Sequence, residues 1–136
     1  MNAEKIAVVI LKELATWQKL NVASFLTSAV AIAYPATHGA PLVDAGGNAY
    51  LPFLKYPILV YEADTPDKVK RAFNRAKDRD LQVGIYVREL FATKNEEENL
   101  AVIQQFQPDD LDLVGVIIYG EGKKVDKALD GIKRHE

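Results

Sequence analysis

The chain has 136 residues, 49% of them apolar, which suits one domain able to bury a core without metal or disulfide staples. It has no cysteine, so disulfides, thiolate metal ligation and cysteine nucleophiles are excluded. Its 17 basic and 19 acidic side chains are interspersed and sum to a net charge of -2, leaving no global field to draw in nucleic acid.

The opening MNAEKIAVVILKEL carries Glu4 and Glu13 and too short an apolar run for a secretory signal core. No stretch approaches the roughly 20 apolar residues of a membrane span. A cytoplasmic protein without membrane contact is therefore expected. Residues 5–11 (KIAVVIL) are rich in β-branched side chains and predict a central strand covered on both faces. A short loop holding Trp17, the only tryptophan, leads to residues 20–34 (LNVASFLTSAVAIAY), an uncharged stretch of about four helical turns. A helix so apolar is expected to be buried on more than one side, and a ligand site would open where the first strand hands over to it.

Residues 35–57 contain four of the six prolines and the Gly46-Gly47 pair between short apolar runs, which predicts a surface hairpin inserted into the strand-helix alternation. Residues 58–61 (ILVY) predict the next strand. Thr65-Pro66-Asp67 then opens a helix with a cap, a proline at its first position and an acid in its first turn. Val69, Ala72, Phe73 and Ala76 form its apolar stripe, and Lys68, Lys70, Arg71, Arg75, Lys77 and Arg79 a basic face diluted by acids. Residues 82–87 (QVGIYV) predict a strand, residues 88–93 a loop, and Asn95 with Glu98 a capped helix to about Phe106. A strand at 113–119 (LVGVIIY) and a closing helix with Val125, Ala128, Leu129 and Ile132 inward complete the chain.

This order predicts a single α/β domain spanning 1–136, with three α/β/α layers around a mixed, mainly parallel sheet of four or five strands. Among possible sites, Asn21, Ser24 and Ser28 share one polar stripe at i, i+3, i+7. Serines in helices commonly bond a carbonyl one turn back, so the stripe has a purely local alternative. Trp17 either plugs the core edge or stacks on a ligand. Asp44 beside Gly46, Gly47 and Asn48 is a candidate lid or ligand-contacting turn, without the acid spacing of a calcium loop. No Walker or dinucleotide glycine loop occurs, and no cofactor or metal site is expected. His38 and His135 are the only histidines, and a Ser28–His38 pair lacks a nucleophile elbow around the serine.

The element order, with the TPDKVKRAFNRAKDRDL helix and the strand running into VRELFAT, resembles the type II peptidyl-tRNA hydrolase fold over nearly the whole chain. The segments TWQKLNVASFL, PLVDAGGNAYLP and ELFATKNEEENL are similar to an uncharacterised family of unknown function assigned to that fold group. The resemblance implies a homodimer, which the apolar first helix also favours. It further implies that a glycine-lysine pair and a later glutamine of the hydrolases fall on Leu20, Asn21 and Phe25, all three altered. The hydrolases' Asp-x-Gly-x-Thr segment falls on residues 89–93, where Glu89 and Thr93 keep the acid and the threonine while Phe91 replaces glycine.

Asn21 donates a hydrogen bond but supplies no positive charge, and Lys19 is the nearest cation. The leading expectation is a divergent member that binds a small or nucleotide-like ligand at a mouth formed by Trp17, Asn21, Ser24, Ser28 and Phe91, with Asp44 in the overlying hairpin. The alternative is an ester or amide hydrolase with Glu89 as base and Lys19 or Thr93 as partner, tRNA being a possible but not favoured substrate. A third is an interaction module using the hairpin and the apolar helix face.

Overall fold

The apolar run near the amino terminus becomes β1 (Glu4–Leu11) in a computed structural model that describes residues 3–136. Residues 6–11 are buried because both edges are paired and both faces covered. On one side β1 pairs in parallel with β4 (Ile58–Ala63), on the other antiparallel with β6 (Leu113–Glu121). The five-stranded order is β5 (Gln82–Val87), β6, β1, β4 and β7 (Lys133–Arg134).

The sheet is mixed as expected but not mainly parallel. β1–β4 is its single parallel ladder; β5–β6, β6–β1 and β4–β7 are all antiparallel. The reason lies after β5. A parallel return needs a crossover that carries the chain back along the sheet, whereas the nine residues of α3 (Glu96–Gln104) pack on the short 3-10 turn Arg88–Ala92. The chain thus re-enters at the end it left, with the Arg88 amide donating to the Asp112 carbonyl at 3.0 Å, and β6 runs backwards.

Helices cover both faces. α1 (Thr16–Ala33) lies on one, burying Val22, Leu26 and Val30. α2 (Pro66–Asp78) and α4 (Gly122–Ala128) lie together on the other. α2 carries the anticipated cap, the Lys68 amide donating to Thr65 Oγ1 at 3.3 Å, and buries Val69, Ala72, Phe73 and Ala76. Asn95 caps α3 in the same way through the Glu98 amide at 2.9 Å. The last helix is shorter than its apolar spacing suggests, and β7, which no pattern announced, follows it to extend the sheet beside β4.

Two expectations for α1 need correction. Trp17 is not in a loop: the helix starts at Thr16, where the Ala15 amide donates to Gln18 Oε1 at 2.9 Å and replaces the missing cap side chain. Nor is the helix buried on several sides within one chain, since Trp17, Leu20, Phe25 and Ile32 are all more than half exposed.

The inserted hairpin is present as β2 (Leu42–Val43) and β3 (Ala49–Tyr50). Gly47 takes a φ of +84° in the turn, a conformation open to glycine without steric cost. Its base is tied down by the Gly39 amide to the Phe53 carbonyl and the Lys55 amide to the Thr37 carbonyl, both at 2.8 Å. Among the described residues, no helix is long and apolar enough to cross a membrane.

Candidate functional site

α1 presents two flanks, and residues two apart on a helix point roughly 200° apart. Trp17 and Lys19 therefore face opposite ways. On the β5 side, Trp17 meets Phe91 edge-on with ring centroids 5.7 Å apart, Phe91 meets Tyr86 at 5.0 Å, and Phe25 meets Tyr86 at 6.3 Å. The expected mouth between α1 and residues 89–93 is thus an aromatic ledge. Burial raises the Tyr86 phenol above its ordinary value and keeps the ledge neutral.

The other residues expected there are occupied locally or face solvent. Ser24 Oγ donates to the Leu20 carbonyl at 2.8 Å and Ser28 Oγ to the Phe25 carbonyl at 2.6 Å, the local alternative for such serines. Asn21 and Glu89 are exposed. The Thr93 hydroxyl donates to the Leu90 carbonyl at 2.8 Å and lies against the Asn99 side chain, closing the turn into α3. Asp44 organises the hairpin turn, taking the amides of Gly46 and Asn48 at 2.9 and 3.0 Å and the Tyr50 hydroxyl at 2.7 Å. The hydroxyl first, then the Asn48 bonds, hold its carboxyl at about 2.

Lys19 is brought to different company. Its ammonium donates to His135 Nε2 at 3.1 Å, and that ring nitrogen lies 3.8 Å from Glu62 Oε2. His135 Nδ1 donates to the Glu136 main-chain oxygen at 2.8 Å, which fixes the ring between the chain end and Lys19. Glu62 also lies 4.0 Å from Lys12 Nζ, and only 12% of its side chain is exposed. Three elements converge here. Lys12 follows β1, Glu62 stands near the end of β4, and His135, across from Val60, follows β7. Charged groups at the carboxyl ends of parallel strands sit where open α/β sheets commonly hold ligands.

The half-buried seam of α1 and β4, the α1–β4 groove, leads from this cluster toward a separate cleft about 12 Å further along the helix. Lys19, Ala23, Thr27 and Ala31, spaced four apart, line the half-buried flank of the helix. Ile58, Val60 and Glu62, spaced two apart, share the sheet face that α1 covers. Where the seam ends, a cleft of about 590 Å³ lies between Thr27, Ala31 and Ile58 and the hairpin base at His38, Pro52, Phe53, Leu54 and Tyr56. That volume lies within the range of small-molecule sites.

The sequence reading included Lys19 but missed Lys12, Glu62 and His135. Their signal was a charged residue closing each of two neighbouring strands, which composition and local period do not weigh. The basic face of α2 is largely engaged: Lys68 pairs with Asp64 at 3.0 Å, and Arg71 and Arg75 donate to the Asp130 carbonyl at 3.3 and 3.0 Å. Among the described residues no group of three or more His, Cys, Asp or Glu is placed to hold a metal ion.

The family model described as a protein of unknown function, DUF2000, matches residues 4–136. The chain belongs to the DUF2000 family. No curated protein matches it. Among solved structures it is similar to the protein of unknown function Atu0240 from Agrobacterium tumefaciens strain C58. The two are 36% identical with a TM-score of 0.93, and the match covers 100% of each chain.

Proposed function

We propose that this DUF2000 protein binds a small molecule in the α1–β4 groove, and that its architecture is a divergent form of the type II peptidyl-tRNA hydrolase fold. The observation that carries the binding reading is the half-buried Lys19 ammonium, 3.1 Å from His135 Nε2 and with no carboxylate within 4.0 Å among the described residues. A partly desolvated cation without a counter-charge favours an anionic partner. The first turn of α1 carries no acid, and its dipole adds to the same positive potential. The aromatic ledge on the other flank favours a structural part for Trp17 and Phe91.

A second reading, ester or amide hydrolysis, is favoured by one observation. The Glu62 carboxylate and the His135 ring lie 3.8 Å apart beside Lys19, so a base and an oxyanion-stabilising cation would share the groove. Glu89 is a poorer base for Lys19 to assist, because β5 and β4 are three strand spacings apart, about 14 Å. Ordinary peptidyl-tRNA cleavage is not expected.

A two-dimensional NMR and thermal-shift screen of small anions, nucleotides and aminoacyl-ester analogues tests both readings. Binders should perturb the amides around Lys19, Val60 and Thr27, and Lys19→Met should weaken them at least tenfold. Perturbations confined to residues 89–93 would overturn the proposal. Turnover of an aminoacyl ester that Glu62→Gln abolishes would select the hydrolase.

A further inference from the structure

We propose that the groove takes an amphipathic carboxylate, a medium-chain acyl group whose head lies at Lys19 and whose tail fills the cleft under the hairpin base. The inference rests on the reading that the α1–β4 groove holds a ligand at all, and it names the ligand's class.

The register of the groove is known at both ends. α1 runs opposite to β4, so Lys19 meets the Glu62 end through His135, while Thr27 and Ala31 meet Ile58 across the cleft. Polarity changes steadily between them. The helix flank passes from Lys19 through Ala23 to Thr27 and Ala31, about 18 Å at the helical rise. The strand passes from Glu62 through Val60 to Ile58. A ligand matched to this surface is charged at one end and hydrocarbon along the rest.

Charge fixes the sign of the head. Glu62 would repel a carboxylate by itself, but Lys12 stands 4.0 Å from one of its oxygens and offsets it. Lys19 remains the unneutralised cation, and its donors can turn from the imidazole to an entering carboxylate.

The cleft fixes the tail. Thr27 Oγ1 donates to the Ala23 carbonyl at 2.8 Å and His38 Nε2 to the Ala31 carbonyl at 2.5 Å, so the helix's own backbone satisfies these two side chains. Pro52, Phe53, Leu54 and Ile58 offer hydrocarbon. A nucleobase would need several donors and acceptors aimed at its edge, and beyond Thr27 and His38 this lining adds only the Tyr56 hydroxyl, whereas a methylene chain gains from each carbon it buries.

Calorimetric and NMR titrations with decanoate, decanol, acetate and AMP test the assignment. Decanoate should bind with shifts at both Lys19 and Ala31, and decanol and acetate at least tenfold more weakly. Lys19→Met should lower decanoate affinity at least tenfold and Lys19→Arg restore it, while Ala31→Trp should block the tail. Should Ala31→Trp fail to fold, the Lys19 pair decides alone. Equal affinity for decanol would overturn the head-group assignment. AMP binding in the groove where decanoate does not would overturn the acyl class and leave the groove intact as a ligand site. Absence of binding by any anion in the wider screen would overturn the groove itself.

Discussion

Asp44 shows how one side chain can look like a ligand residue and act as a scaffold. Its two oxygens gather two turn amides and the Tyr50 hydroxyl, the combination that holds its carboxyl at about 2 against an ordinary 3.8. The same bond raises the Tyr50 phenol. Because the folded value lies below the unfolded one, the turn gains its charge-dependent order fully above roughly pH 4 and loses it as the pH falls through about 2. An NMR titration of the Asp44 carboxyl and the Gly46 and Asn48 amides should give a midpoint near the lower value. Asp44→Asn should abolish the transition and leave the sheet intact. A midpoint near 4 would show that the turn is not formed in solution.

At the level of elements, the close seating of α1 depends on a residue with no side chain. A β-carbon at Gly115 of β6 would overlap Val22 of the helix and crowd Leu26. Gly115→Val should therefore cost about 1–3 kcal/mol by overpacking, read as a lower urea midpoint with an unchanged slope. An unchanged midpoint would mean that α1 shifts freely on the sheet. The strands, the caps at Thr65 and Asn95 and the apolar stripe of α2 were legible because each is written in local period or turn chemistry. The direction of β6 was not, since it depends on whether α3 returns along the sheet, and a helical period is the same in either case. The same limit hid most of the candidate site. Lys12, Glu62 and His135 are brought together by pairing β1 with β4 and β4 with β7, and the second pairing involves a two-residue strand too short to show a pattern.

For the whole molecule, α1 divides its surface four ways: Val22, Leu26 and Val30 meet the sheet, Lys19, Ala23, Thr27 and Ala31 lie toward the groove, Trp17 and Phe25 join the aromatic ledge, and Leu20 and Ile32 face out. The outward face continues the uncharged stretch 20–34, so a second copy approaching it meets no like charge, and its serines and alanines allow close helix contact. Leu42, Val43, Leu51 and Phe53 of the hairpin segment add further exposed apolar area. A patch of that kind is more typical of an interface than of a monomer's surface. We therefore expect a homodimer that pairs the outer faces of α1 and leaves the groove flank open. Sedimentation velocity should give a dimer, and Leu20→Glu with Ile32→Glu should convert it to a monomer with unchanged far-ultraviolet circular dichroism, because both side chains are exposed within the chain. A dimer that survives both glutamates would place the interface on the hairpin instead, and a monomeric parent would leave the apolar outer face of α1 without a partner of its own kind.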